Sequence, residues 1–299
     1  MSAVLEDAEY GEVTVHYGAR RGKYPHGNSL VVHGGEESIV IDPSLGIVAR
    51  AQAPPADRVV NSHCHEDHVA GNFLYPDAEW WLHEADVHGM QSLDCMMDIY
   101  GYPEPIRSGF EKLIVEQFHY VARPDAVAFR DGDVMDLGGG VRVHVIHTPG
   151  HTRGHCAFLV EPSGLLYLGD IDLSSFGPYY GDAWSDLEDF AATLVKVRDI
   201  DARYWATFHH IGVLETREAF LERLDRFTAM IADRERRLLE YLAEPHSLAE
   251  IAEHRFVFRP GDDVPNVEAV ESRSMGMHVD RLLARGALRE VEPGRFESA

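Results

Sequence analysis

The sequence predicts an α/β protein in two parts: a larger body over residues 1–215 and a small, mainly helical unit over residues 216–299. Two observations carry that expectation. In the first part, short apolar runs of strand length, such as Arg58-Val59-Val60, Arg142 to Ile146 and Leu165 to Leu168, each lead into histidines or an aspartate. In the second, Phe220, Leu224, Phe227, Ile231, Leu238 and Leu242 follow a three-to-four spacing, that of one apolar face of a long helix. A chain of 299 residues with 45% hydrophobic composition has room for one large domain and one small one.

Asn28 to His33 and Ile39 to Pro43 read as two strands joined by a glycine-rich turn at Gly34-Gly35. After the next strand, Asp67 to Leu74 can open a helix, because the Asp67 carboxylate would meet free backbone N–H groups. Residues 83–120 form a helical insert of two pieces, about Glu84–Tyr100 and Ile106–Tyr120, broken at Gly101-Tyr102-Pro103-Glu104-Pro105. Met90, Leu93, Met96, Met97 and Tyr100 lie at helical spacing and should pack this insert on the body. Ala128 to Leu137, a Gly138-Gly139-Gly140 turn and Val141 to Ile146 read as a β-meander, followed by strands at Cys156–Val160 and Leu165–Leu168. A Ser185-x-x-Glu188 capping box opens a helix to about Val197. In the tail, the long helix runs to about Leu242 and Ser247-x-x-Glu250 caps a short helix to about Glu253. Val267–Arg285, stopped by Gly286, is a third helix, and Ala287–Phe296 is a small hairpin.

The stretch Asn61-Ser62-His63-Cys64-His65-Glu66-Asp67-His68 concentrates imidazole and carboxylate, the groups that hold zinc, manganese or iron at roughly 2.0–2.2 Å. On an extended or tightly turning loop His63 and His65 point the same way, and Cys64 between them points away from any shared ion. Matching donors recur after later strand-like runs. His151 lies in Thr148-Pro149-Gly150-His151-Thr152-Arg153-Gly154-His155, Asp170 follows Gly169, and His209-His210 follow Phe208. His83, His88, His144, His147 and His155 are expected in packing or supporting places.

These motifs, in this order, resemble the metallo-β-lactamase superfamily over roughly residues 28–212. The resemblance implies an αββα sandwich of two mixed β-sheets flanked by helices, with the insert at 83–120 overhanging the site. It implies that His63, His65 and His151 hold one ion, that Asp67, His68 and His209 hold a second, and that Asp170 bridges the two. The cofactors would be two divalent metal ions, zinc first, with iron or manganese as alternatives. A metal-bridging hydroxide, oriented by Asp67, would then attack a small ester, thioester or lactone. A phosphodiesterase or nuclease and a sulfur dioxygenase with a single iron are the alternatives within the superfamily. The presence of Asp67, His68, Asp170 and His209 favours two metals.

The chain departs from its relatives in two places. Their Ile-Asp-x-Gly is Ile41-Asp42-Pro43-Ser44 here, where Asp42 is expected to support a ligand. Their Gly-His-Gly is Phe208-His209-His210. Alignment with the family favours His209 as the ligand, and on an extended chain His210 would then face the other way. His210, Tyr179 and Tyr180 are candidates for substrate contact.

The formal net charge is −23, most of it carried by the first 215 residues. Such a body repels a phosphate backbone, so the expected partner is a small-molecule substrate and not nucleic acid. Cys64, Cys95 and Cys156 are scattered and odd in number, which fits reduced thiols. The N-terminus lacks the basic and apolar regions of a secretory signal, and no apolar run approaches the roughly 20 residues of a bilayer span. A cytoplasmic protein without membrane contact is therefore expected. The tail's order of helices and hairpin looks like a winged helix. With Arg273, Arg281 and Arg285 interleaved with Glu271 and Asp280, it is expected to serve packing or a homo-oligomer, and to be removable beyond about Leu242 without emptying the metal site.

Overall fold

The computed structural model describes residues 6–259, 261–262 and 264–299. At its centre two β-sheets face each other. The first holds seven strands, adjacent in chain order: β1 (Ala8–Tyr10), β2 (Val13–His16), β3 (Ser29–His33), β4 (Ser38–Ile41), β5 (Arg58–Val60), β6 (Glu79–His83) and β7 (Val127–Phe129). The strands from β1 to β4 pair antiparallel, and those from β4 to β7 parallel. The second sheet holds six: β8 (Val134–Asp136), β9 (Arg142–His147), β10 (Cys156–Glu161), β11 (Leu165–Tyr167), β12 (Tyr204–Ala206) and β13 (Val213–Leu214). All its pairs are antiparallel except β11 with β12.

The two-residue period of a strand sorts side chains between two apolar layers. Val13, Val15, Leu30, Val32, Ile39 and Ile41 turn inward to Val143, Val145, Phe158, Val160 and Tyr167 of the second sheet. Their neighbours Val31, Val40 and Val59 turn outward to the insert. One-turn segments α1 (Ala19–Gly22) and α2 (Leu45–Val48) precede that insert, whose helices are α3 (Leu93–Tyr100) and α4 (Ile106–Glu116). Met96, Met97, Ile99 and Ile114 supply its buried face. On the opposite side, Ala157, Leu166 and Trp205 pack against α5 (Leu187–Arg198) and α6 (Arg217–Tyr241) through Leu194, Phe220 and Leu224. Helices thus cover both outer faces in an αββα sandwich, and strands buried on two sides read as nearly unbroken apolar runs.

Several sequence expectations need correction. Ahead of the 28–43 hairpin the first sheet holds two further strands that the sequence reading passed over: β1 and β2 are short, and polar Glu9 and Thr14, joined by hydrogen bonds, interrupt their apolar pattern. The meander read at 128–146 is divided between sheets, with β7 in the first and β8 in the second, so the chain crosses the sandwich between Phe129 and Val134. Both Phe129 and Met135 still reach the shared core. The helix expected from Asp67 shrinks to one 3-10 turn, Asn72–Leu74, because side chains satisfy that loop. Asn61 Nδ2 donates to the His68 carbonyl at 2.9 Å and Asn72 Nδ2 donates to Asn61 Oδ1 at 2.8 Å. The cap of α5 is Asp186, which accepts from the Asp189 N–H, and not Ser185.

Beyond α6 the chain forms β14 (His246–Ser247), α7 (Leu248–His254), α8 (Val267–Ala284), β15 (Leu288–Glu292) and β16 (Arg295–Ser298). The last three strands make a sheet in the order β14-β16-β15. The expected capping box is present at Ser247 and Glu250. Leu238, Leu242, Ile251, Met275, Leu282 and Leu288 form a separate small core. The long helix α6 belongs to both bodies, since Phe220 to Ile231 pack on the second sheet and Leu238 packs in the tail core. Among the described residues no helix is long and apolar enough to cross a membrane.

Candidate metal centre

Four loops that leave strand ends meet at one edge of the sandwich. His63, His65, Asp67 and His68 follow β5, His151 follows β9, Asp170 follows β11 and His209 follows β12. Donor atoms of His63, His65, His151 and Asp170 all lie within 4.8 Å of one another, and so do those of Asp67, His68 and His209. Asp170 spans the two groups. Its Oδ2 is 3.2 Å from His151 Nε2, and its Oδ1 is 3.0 Å from His68 Nε2 and 3.8 Å from His209 Nε2.

The bonds behind the imidazoles turn their Nε2 atoms toward this centre. His68 Nδ1 donates to Asp42 Oδ2 at 2.8 Å, and that buried carboxylate also accepts from Ser62 and from Tyr167 at 2.7 Å. His209 Nδ1 donates to the Gly22 carbonyl at 2.6 Å, and His151 Nδ1 to the Tyr179 carbonyl at 2.9 Å. A carbonyl or carboxylate partner forces Nδ1 to carry the proton, leaving the Nε2 lone pair free. His155 keeps the supporting role: its Nε2 accepts from the Asp170 N–H at 3.1 Å.

The residues fit a pair of divalent ions. Nε2 of His63, His65 and His151 and Oδ2 of Asp67 are buried with no hydrogen-bond partner. Each such orphan costs about 1–3 kcal/mol unless something binds it, and here the orphans converge on one another. Burial, and then neighbouring imidazoles, hold His63 and His65 well below the usual histidine pKa, in the neutral form that binds metal. Nitrogen and oxygen donors without thiolate suit zinc, iron or manganese. Cys64 is buried away from the centre, in the core beneath the insert helices.

His209 faces the centre and His210 does not, though for a different reason than expected. The chain is not extended there: β12 ends at Ala206, and His210 takes a left-handed φ of 63°. The ring is half-buried, with Nε2 3.8 Å from Asp172. Tyr180 is corrected as a substrate contact. It is fully buried, and its hydroxyl pairs with His278 Nε2 at 2.9 Å and accepts from Arg234 at 2.7 Å. Tyr179 remains beside the centre, its ring centroid 5.8 Å from that of His151.

Three neighbours of the centre escaped the sequence reading. Glu66 accepts from Tyr24 at 3.0 Å and from Tyr100, and burial, then the Asp67 charge, push its carboxyl up to about 7. Tyr100, read only as a packing residue, stacks on His65 at 5.1 Å. Asp182 lies with Oδ2 3.4 Å from His65 Nε2, and burial raises its pKa to about 6. Glu66 stood inside the ligand motif and could have been suspected. Nothing in the spacing marks Asp182.

The sequence model of the family described as Metallo-beta-lactamase superfamily matches residues 24–226. The chain belongs to this superfamily, and it is a metal-dependent hydrolase. It is similar to the human acyl-coenzyme A thioesterase MBLAC2, at 26% identity over 196 residues, or 58% of this chain and 67% of the human protein. It is also similar to the hydroxyacylglutathione hydrolase of Rhodospirillum rubrum, at 28% identity over 162 residues, spanning 51% of this chain and 52% of that protein. In fold it matches a metallo-beta-lactamase family protein from Thermus thermophilus with a TM-score of 0.70 and 22% identity, over 96% of this chain and 99% of the other. A beta-lactamase domain protein from Burkholderia ambifaria gives 0.69 and 18%, over 100% and 95%. These likenesses extend through the C-terminal unit, so the tail is part of a shared fold.

Proposed function

We propose that the protein hydrolyses a small thioester, with oxoesters and lactones as weaker substrates of the same class, at a centre of two zinc ions. The observation that carries this is the Asp170 carboxylate, which reaches Nε2 of His151 with one oxygen and Nε2 of His68 with the other. His63, His65 and His151 would hold one ion, Asp67, His68 and His209 the other, and Asp170 both. Ions so held supply Lewis-acid polarisation of an acyl carbonyl and lower the pKa of water toward neutrality. The thioester choice is supported by the names of the human and Rhodospirillum relatives.

The chain's own part is to orient and to move a proton. Asp67, whose Oδ2 lies 3.0 Å from His209 Nε2, orients the attacking water and receives its proton. Asp42 keeps the His68 ring from turning, and the stacked Tyr100 ring shields His65 from solvent. Tyr179, half-buried beside His151, is the nearer candidate for substrate contact. Residues 1–215 act as the catalytic body, and residues 216–299 as a winged-helix-like unit packed on it.

The test is a panel of an acyl-coenzyme A, a hydroxyacylglutathione, a p-nitrophenyl ester, a homoserine lactone and bis(p-nitrophenyl) phosphate, with elemental analysis of the same preparation. The thioesters should turn over fastest at two zinc ions per chain. Preferred turnover of the phosphodiester, or a single ion in the fully active protein, would sink the proposal.

A further inference from the structure

We infer that the C-terminal unit is a positioning element of the first cluster, His63, His65 and His151, and acts on it through the loop at residues 176–182. This rests on the ligand assignment proposed above. The loop lies directly on the tail helices. A Cβ on Gly177 would come within 2.6 Å of Met230 Cβ on α6, and a Cβ on Gly181 within 2.2 Å of Val270 Cγ1 on α8. Only glycine allows so close a seat at these two points.

Polar groups lock the seat. Arg234 of α6, 1% exposed, donates to the Pro178 carbonyl at 2.6 Å, to the Phe176 carbonyl at 3.0 Å and to the Tyr180 hydroxyl at 2.7 Å. A guanidinium taken out of water needs such acceptors, so moving the loop would strand a buried charge. Tyr180 is further held by His278 of α8. At the loop's end, Asp182 Oδ1 accepts from Tyr102 at 2.9 Å, and the Tyr102 hydroxyl accepts from Asn266 Nδ2 at 2.7 Å, just before α8.

The held loop delivers two groups to the first cluster. The Tyr179 carbonyl accepts a hydrogen bond from His151 Nδ1–H, and Asp182 Oδ2 stands beside His65 Nε2. Arg273 of α8 adds to the same side, donating to the carbonyls of Tyr100 and Gly101, and Tyr100 is the ring stacked on His65. The imidazoles of the second cluster are held from behind within the body instead: His68 rests on Asp42 and His209 on the Gly22 carbonyl. Arg234 is thus a positioning residue for His151, and the tail is not the separable appendage that its sequence implies.

Two substitutions in the full-length, zinc-loaded protein test this. Gly181→Ala should lift the loop off α8 without changing a polar group. We expect its first-cluster ion to be bound about 10–100-fold more weakly against a chelator, as is usual when a ligand's supporting bond is lost, while the second ion stays. Cobalt(II) spectra would identify the emptied cluster. Gly181→Ala/Val270→Ala, which removes the colliding Cγ1, should restore retention. Arg234→Lys keeps the charge but cannot reach three acceptors at once, and should weaken the same ion. If Gly181→Ala does not fold, Arg234→Lys decides alone. Unchanged retention of both ions, or equal loss of both in a folded protein, overturns the inference. Retention of both ions in His151→Ala would instead mean that the ligand assignment itself has failed.

Discussion

The two halves of the metal centre are made of the same kinds of residues but held by different parts of the molecule. His68 is fixed from behind by Asp42, which follows β4, and His209 by the Gly22 carbonyl at the end of α1, both within the body. His151 is fixed by the Tyr179 carbonyl, on a loop that rests on α6 and α8. A carboxylate that accepts from the Ser62 N–H and hydroxyl, His68 and Tyr167 in a sheet-bound turn cannot easily shift, whereas a loop carbonyl is only as well placed as the helices beneath it. On the proposed assignment, the ligands come from the body, and the accuracy of one half of the site from the tail.

The largest expected effect removes a ligand outright. In His151→Ala the first cluster loses one of its imidazoles, so thioester hydrolysis should fall to the uncatalysed background and elemental analysis should find one zinc per chain in place of two. Full occupancy would erase the distinction between the halves. Next comes Asp42→Asn, aimed at the half that does not depend on the tail. Asp42 has a φ of 47°, which asparagine tolerates, so the backbone should hold while His68 loses its charged partner. The second ion should bind about 10–100-fold more weakly in chelator competition, with the first unaffected.

Leu238→Ala separates the tail's own stability from its hold on the loop. Leu238 is fully buried in the small C-terminal core, one turn of α6 beyond Arg234. The substitution should lower stability by about 2–5 kcal/mol in denaturant unfolding. Zinc content of the folded protein should not change. A parallel loss of the first ion would show that the whole tail core, and not only the contacts of α6 and α8 with the loop, sets the geometry. The smallest effect is expected at His210, whose ring faces Asp172 and not the centre. In His210→Gly, relief of roughly 1–2 kcal/mol of left-handed strain is offset by about 0.5–1 kcal/mol of added chain entropy, so the melting temperature should move little. Both ions should remain and activity should stay within a few-fold. Loss of an ion there would make His210, not His209, part of the second half.

The residues that meet at the candidate centre were legible in the sequence because each motif is local. His63, His65, Asp67 and His68 share one loop, and His151, Asp170 and His209 each follow an apolar run that ends a strand or leads into one. The long helix α6 and the Ser247–Glu250 cap were legible too, since helical periodicity and capping act over three or four residues. Alternation within a strand could not say which sheet receives it, so β7 and β8 read as neighbours although they lie on opposite sides of the sandwich. The burial of Tyr180, the approach of Asp182 to His65 and the Arg234 clamp depend on residues 54 to 117 positions apart meeting at close range. Such meetings follow from how layers stack and from glycines that allow backbone to touch helix. They leave no periodic trace in the chain, and only the packed structure decides them.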